Sequence, residues 1–261
     1  MEVKKELRLL FLSTKYNIMK EMINPLSFVL KVLFMMLNNS TFIIQWVVLF
    51  SLKDSFGTYG FKEIMLIWGI SSASFGFAFT FFGGSFKIPE YVEEGKLDSY
   101  LVQPKSVLLS VVGSYTRISA IGDLLYGLVV GIIFYHSLKN IILFLLFIIT
   151  GGIIFACFSI IIGSLAFKYT KTEELSDSIM GMYLSASLYP DSIYGNILKF
   201  ILYTFIPIGF SVFIPISIIL NFNLLKFIVV LLFTILMMIL ASLAFYRGLK
   251  RYSSTNLMSS R

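Results

Sequence analysis

The longest strongly polar interruption between apolar regions of the sequence is residues 88–108. Only 13% of the 261 residues are charged, and charge in an apolar chain must meet either water or another protein. The stretch is therefore either a charged docking surface for a partner or a plain connecting loop. Its charged residues are Glu90, Glu93, Glu94, Lys96, Asp98 and Lys105.

Motifs for catalysis and metal binding are absent from the sequence. The closest match to a phosphate-binding loop, GTYGFK at residues 57–62, lacks the Gly-Lys-Ser/Thr ending that directs backbone amides and a lysine at phosphates. No HExxH, GxSxG or Cys/His cluster is found. The single cysteine, Cys157, lies in an apolar block, and the single histidine, His136, lies in a short predicted turn. We expect no catalytic residue, metal site or cofactor in this chain.

Composition places these residues in a membrane protein. The chain is 57% hydrophobic, with 27 Phe and a mean hydropathy of +0.88, which is typical of an all-α polytopic membrane protein. The net charge of +7 does not indicate nucleic acid, because Lys and Arg are scattered between apolar blocks rather than gathered on one surface. The apolar run 9–12 is too short for a signal peptide, so the N-terminus should be retained.

The first element is predicted to be an amphipathic helix over residues 1–24. Leu7, Leu10 and Phe11 fall on one side at helical spacing, and basic residues occupy the rest. Such a helix binds anionic lipid headgroups at the membrane surface, although a solvated helix is the alternative. Asn24-Pro25 predicts the break before the chain enters the bilayer.

Hydropathy predicts transmembrane helices at residues 27–52, 63–86, 110–135, 141–167 and 224–246, since about 20 apolar residues cross a bilayer. The position of one more crossing, the fifth in chain order, is ambiguous. Residues 173–189 are moderately apolar after an acidic start, whereas residues 197–220 are strongly apolar but contain two prolines. Only one of these segments can be a complete crossing if both termini share a side. The Ser-rich tail, residues 252–261, is predicted to be flexible.

Several polar residues fall inside these predicted spans. Asn38, Asn39 and Gln45 lie in the first span, where they either line a substrate path or form interhelical hydrogen bonds. In the third span Arg117 can extend to the interface, whereas the deeper Asp123 requires a partner from another helix. The second span has a small-residue surface suited to close helix packing, formed by Gly69, Ser71, Ser72, Ala73, Gly76 and Ala78.

The distribution of Lys and Arg predicts the orientation, because basic residues accumulate on the cytoplasmic side. With both termini and the 88–106 loop in the cytoplasm, the opposite side receives only Lys53, Lys62, Lys139, Lys199 and Lys226. The cytoplasmic side then receives Lys4, Lys5, Arg8, Lys15, Lys20, Lys87, Lys96, Lys105, Lys168, Lys171, Arg247, Lys250, Arg251 and Arg261.

Three short motifs follow one another along the chain, and each resembles a motif of one known family. The run Glu94-Gly95-Lys96-Leu97-Asp98, followed by Leu101 and Pro104, resembles the E-x-G-x-L-[DE]-x-x-L-x-x-P pattern of ABC transporter permeases of the type-2 export family. The segment 187–190, SLYP, and the later Ile206-Pro207 resemble the outer re-entrant region of that family. The run 246–252, YRGLKRY, resembles the closing motif of a bacterial branch in which permease and ATPase are separate chains.

This resemblance implies a fold, partners and a location. The fold is a surface helix and six transmembrane helices, with residues 173–189 as the fifth crossing and 195–220 as an outer re-entrant segment broken around Pro190, Pro207 and Pro215. The partners are a second permease subunit, identical or related, and a cytosolic ABC ATPase dimer that holds ATP and Mg. The location is the bacterial plasma membrane.

The 88–106 loop would then include the coupling helix that contacts the ATPase. Glu90, Glu93 and Glu94 are the acidic candidates for that contact, and Gly95, Leu97, Asp98, Leu101 and Pro104 complete the motif. Two other functions remain open. An ion-coupled secondary transporter would use Asp123 as its relay, and a membrane scaffold or sensor would transport nothing.

Overall fold

The computed structural model describes residues 2–135 and 137–252, so His136 and the tail residues 253–261 lie outside the described residues. Within these ranges the chain is almost entirely helical, and the only strand-like feature is an isolated bridge between Phe56 and Tyr59. The α-helices are α1 (Glu2–Glu21), α2 (Pro25–Leu52), α3 (Phe61–Phe81), α4 (Ile88–Glu93), α5 (Asp98–Leu101), α6 (Val107–Val112), α7 (Ser119–Phe134), α8 (Leu138–Gly163), α9 (Glu173–Ser187), α10 (Asn196–Thr204), α11 (Ile214–Leu220) and α12 (Leu224–Leu249).

Four of the described helices are long and apolar enough to cross a membrane: α2, α3, α8 with the 3₁₀ turn that extends it to Phe167, and α12. They correspond to the predicted spans 27–52, 63–86, 141–167 and 224–246. The all-α membrane class is therefore confirmed. The second span ends at Phe81 rather than at residue 86, because the Gly83–Lys87 segment forms a 3₁₀ turn instead of continuing the helix.

The third predicted span, 110–135, is not one continuous helix. It is divided into α6 and α7 by residues 113–118, and this break is fastened to the end of α3. The Arg117 amide donates to the Phe79 carbonyl at 3.0 Å, and the Thr116 hydroxyl donates to the Thr80 carbonyl at 2.9 Å. The remaining α7 has 16 residues and is about 24 Å long, shorter than a hydrocarbon core of about 30 Å.

The fifth and re-entrant segments also differ from a simple hydropathy pattern. The α9 helix has only 15 residues, and residues 195–220 form α10 and a second helical segment, Gly209–Leu220, bent from it by 82°. Such a bend fits either a broken span or a re-entrant loop. The described residues therefore contain four helices that are long and apolar enough to cross a membrane, or five if this pair counts as one span.

Three prolines were predicted to mark breaks in this region. Pro207 lies in the bend itself, and Pro190 follows the end of α9. Pro215 lies in the first turn of α11, directly after the π-helical turn Gly209–Phe213, and it does not end a helix because proline is tolerated in the first turn.

The α3 helix forms the centre of the bundle. In the most apolar 18-residue window of α3, 83% of the residues are buried, whereas in that of α2 only 17% are. The α2 helix therefore presents most of its residues outward. Small residues allow α7 to approach α3 closely, as the sequence predicts. A Cβ added to Gly127 would lie 2.5 Å from the Gly69 carbonyl oxygen and 2.6 Å from the Ala73 nitrogen.

The N-terminal helix α1 packs against α6 at one end of the bundle. The Asn17 side chain donates to the Gly113 carbonyl at 3.1 Å, and Leu10 is buried. Phe11, which was predicted on the same apolar face, is 64% exposed. The chain turns after α1, and Asn24 caps α2 by accepting a hydrogen bond from the Ser27 amide at 3.1 Å.

Candidate functional site: the coupling loop and an intramembrane cleft

The 88–106 segment, which we call the coupling loop, is a folded structure rather than a plain connection. Ile88 and Leu97 are fully buried and anchor it to the bundle. The loop reverses direction at Gly95, whose φ of +70° is a left-handed conformation that side-chain-bearing residues rarely adopt. Ile88 and the ring of Pro89 pack against Gly163 at the end of α8. The family-like motif therefore forms a compact cap on one end of the bundle.

The acidic residues of the coupling loop have different environments. Glu90 binds Lys87 at 2.6 Å and Lys96 at 2.7 Å, and the hydrogen bonds from these two lysines lower the pKa of the Glu90 carboxyl below its usual value. Glu94 forms a salt bridge with Lys96 at 2.5 Å, and its side chain is 54% exposed. Of these two candidates, Glu94 is the one that faces outward.

The Glu93 carboxylate forms hydrogen bonds within the protein. Its carboxylate accepts a hydrogen bond from the Thr172 amide at 2.7 Å and another from the Thr172 hydroxyl at 3.0 Å. Thr172 is buried and directly precedes α9. A carboxylate at this position satisfies an N–H group that the helix leaves unpaired and interacts favourably with the helix dipole. Glu93 thus connects the coupling loop to α9, a connection that the sequence did not predict.

The closing motif of the chain meets the coupling loop in space. The hydroxyls of Tyr246 and Ser106 are 3.2 Å apart. Burial and the nearby Asp98 carboxylate raise the pKa of Tyr252 to about 12. Gly248 lies against the ring of Phe167, where a side chain would clash. The two motifs that are most distant in the sequence therefore form one surface.

The outer side of the coupling loop exposes apolar residues beside α1. Val102 is 84% exposed and Leu101 is 42% exposed, and Pro104 is also exposed. A groove of about 730 Å³ lies between α1 and the loop. It is lined by Glu6, Arg8, Leu9, Leu12, Gln103, Pro104, Lys105 and Ser106.

The polar residues predicted inside the spans are partly brought together. The Asn39 amide donates to the Asp123 carboxylate at 2.6 Å, which is the interhelical partner that the sequence required for Asp123. Both residues line a cavity of about 180 Å³ between α2, α3, α7 and α9, together with Asn38. Gln45 is exposed on α2 and does not line this cavity.

A second polar cluster, at the other end of the bundle, was missed by the sequence analysis. Asp191 is buried and binds the Tyr59 hydroxyl at 2.9 Å, the Tyr203 hydroxyl at 3.0 Å and Lys199 at 2.8 Å. Burial acts to raise the pKa of Asp191, but the hydrogen bonds from Lys199 and the two tyrosines lower it overall. This cluster fastens the turn between α2 and α3 to the segment after α9. An acidic residue beside several tyrosines was the available signal.

These features define a polytopic all-α membrane protein with a structured loop and a polar cleft. A family model for ABC-2 family transporter proteins matches residues 34–256, and the chain belongs to that family. No curated protein and no solved structure matches the chain. ABC-2 permeases are the membrane components of transporters and associate with ABC ATPases.

Proposed function

We propose that this chain is the transmembrane subunit of an ABC exporter, in which it forms the translocation path and couples that path to separate cytosolic ATPase subunits. One observation carries the proposal: the coupling loop is fastened inside to α8, α9 and α12 and presents Glu94, Leu101 and Val102 outside. A loop of this kind transmits force from a partner to several helices at once. ATP and Mg would be held by the partner, so this chain would catalyse no reaction.

The proposed topology places both termini and the coupling loop in the cytoplasm of a bacterial plasma membrane. The excess of Lys and Arg at that end supports it. In this arrangement α6 and α7 form a broken third crossing, and α9 is the fifth. The pair formed by α10 and Gly209–Leu220 enters the outer leaflet and returns, which the 82° bend supports. A second permease subunit, identical or related, would cover the exposed apolar faces.

Asn38, Asn39 and Asp123 are the proposed lining residues of the translocation path, because they share one cavity. The exposed position of Gln45 gives it no part in that cavity. The buried Asp123 also favours an ion-coupled secondary transporter as a second candidate. Transport by the purified chain, driven by an ion gradient without ATP, would support that second function.

The Glu94→Lys substitution tests the proposed docking surface. We expect the variant to retain its fold and to co-purify at least about fivefold less ABC ATPase, because reversing a rim charge opposite a basic partner surface costs about 1 kcal/mol or more. Asp54→Lys, in the exposed turn at the other end of the bundle, is the control and should leave co-purification unchanged. Equal recovery of ATPase with both variants would contradict docking at Glu94.

A further inference from the structure

Two neighbouring cavities lie one behind the other, from the coupling-loop end towards the middle of the bundle. The inner cavity, about 180 Å³, contains Asp123 and Asn39. The outer cavity, about 330 Å³, has Glu173 and Asp177 in its lining. Phe79, Arg117 and Leu184 line both cavities, so the two spaces are adjacent and meet at these side chains. We call the two adjacent cavities together the cleft.

The charged residues that line the cleft are Lys87, Arg117, Asp123, Glu173 and Asp177. Lys87 is already paired with Glu90, which lies outside the cleft. Among the described residues, Arg117 has no salt bridge, and its guanidinium lies 4.8 Å from the centre of the Phe79 ring. Arg117 therefore faces three carboxylates, and the cleft has an excess of negative charge.

The inner end of the cleft holds one buried carboxylate, Asp123, and one cation, Arg117, which form no salt bridge with each other. Asp123 is 8% exposed, and its carboxylate accepts a hydrogen bond from the neutral Asn39. Within the part of the chain that the structure describes, no Lys or Arg forms a salt bridge with it. Buried charges are normally paired, because an isolated charge in an apolar environment is costly. With Glu173 and Asp177 in the outer cavity, the carboxylates outnumber the cations that are not paired outside the cleft, so the cleft as a whole favours a ligand that brings a positive charge.

Aromatic residues surround that carboxylate. Phe42, Trp68, Phe75 and Phe79 line the inner cavity, and Phe42 stacks on Trp68 with ring centres 4.4 Å apart. The indole N–H of Trp68 is buried without a hydrogen-bond partner among the described residues. Aromatic faces attract cations and also accept apolar groups.

We propose that the cleft binds lipophilic cations, with the positive group against Asp123 and the apolar body against the aromatic wall. This inference rests on the proposed transport function and assigns its substrate class. The acidic mouth at Glu173 and Asp177 concentrates cations from the coupling-loop side, and the aromatic interior selects those with large apolar groups. Anionic and uncharged amphiphiles of the same shape lack the interaction with Asp123.

Gly181 allows the charge preference to be measured without disturbing the fold. It lines the outer cavity, and a Cβ added there meets no atom within 4 Å. Cys157, the only native cysteine, is buried. A Gly181→Cys variant of the purified full chain in lipid nanodiscs therefore offers one accessible thiol. We expect a cationic methanethiosulfonate to label it about tenfold faster or more than an anionic one of similar size, since a cleft of one charge sign accelerates entry of its counter-ion by 10–10³-fold.

Binding is tested by protection of the same thiol. Tetraphenylphosphonium should slow the labelling of Gly181→Cys, whereas the anion of matched shape, tetraphenylborate, should not. Adding Asp123→Asn should remove this protection, and adding Asp54→Asn, outside the cleft, should preserve it. If the Asp123 variant does not fold, Glu173→Gln with Asp177→Asn at the exposed mouth should still reduce the cation preference several-fold.

Two results would overturn the inference: faster or equal labelling by the anionic reagent, or protection by tetraphenylborate as strong as that by tetraphenylphosphonium. Protection that persists in the Asp123→Asn variant would also overturn the role of that carboxylate. These measurements use the permease without an ATPase. Their failure therefore leaves the proposed ATPase coupling standing, and a failure of the Glu94→Lys test leaves the cleft measurements valid.

Discussion

Replacing Glu93 with alanine is expected to disconnect α9 from the coupling loop while leaving ATPase binding in place. The substitution removes the acceptor of the Thr172 amide and hydroxyl, and leaving buried donors unsatisfied costs about 1–3 kcal/mol. Amide protons in the first turn of α9 should then exchange with solvent about tenfold faster or more, because 1.4 kcal/mol corresponds to a factor of ten. Hydrogen exchange with mass spectrometry measures this in the isolated chain.

The functional consequence is measured in the reconstituted complex with its ATPase. In the wild type, adding ATP should change hydrogen exchange along α9, and in the Glu93→Ala variant this change should be lost. Glu93→Gln is the matched control, because its amide oxygen still accepts from Thr172, and it should restore most of the response. If Glu93→Ala responds to ATP like the wild type, Glu93 does not transmit the motion.

Gly76→Ala is expected to be strongly destabilising. The added methyl group would fall on backbone atoms of Leu124 and Ala120 in α7, and backbone atoms cannot turn aside as a flexible side chain can. The two central helices must then separate, which costs about 1–3 kcal/mol or more. The unfolding midpoint of the purified chain should fall by roughly 5 °C or more.

Gly181→Ala is the control for this effect. Gly181 is also a helical glycine, but a Cβ there meets no atom within 4 Å. Alanine is favoured over glycine in a helix interior by about 1 kcal/mol, so the variant should be unchanged or slightly more stable. Equal midpoints for the two variants would show that α3 and α7 are not packed as tightly as the structure indicates.

The helical class was predictable, and residues 88–106 stood out as a charged stretch, because both depend on local composition and spacing. Apolar stretches long enough to cross a bilayer identify α2, α3, α8 and α12 without any knowledge of packing. The charged motif around Gly95 stands out for the same reason. The small-residue surface of α3 also predicted its close packing, since small side chains have that effect in any helix pair.

The connections within the candidate site were not predictable, because they join residues that are distant in the chain. Glu93 and Thr172 are 79 residues apart, and Tyr59 and Asp191 are 132 apart. Which acidic residue faces inward depends on these contacts and not on residue type. The charge of Glu93 alone therefore suggested a partner outside the chain.

The break within the third span was missed for a related reason. Residues 113–118 are only weakly polar apart from Arg117, so hydropathy carried the predicted span through them. The structure interrupts the helix because the Arg117 amide and the Thr116 hydroxyl bond to carbonyl groups at the end of α3. This break also places the Arg117 side chain at the junction of the two cavities.

The most direct test of the proposed coupling is the composition of the complex that this chain forms in its own membrane. The affinity-tagged wild-type chain should be co-expressed with the ABC ATPase encoded nearest to its gene, purified, and weighed by native mass spectrometry. We predict an assembly of two permease chains, identical or related, with two ATPase chains. A stable, folded permease that is recovered without any ATPase would contradict the proposal.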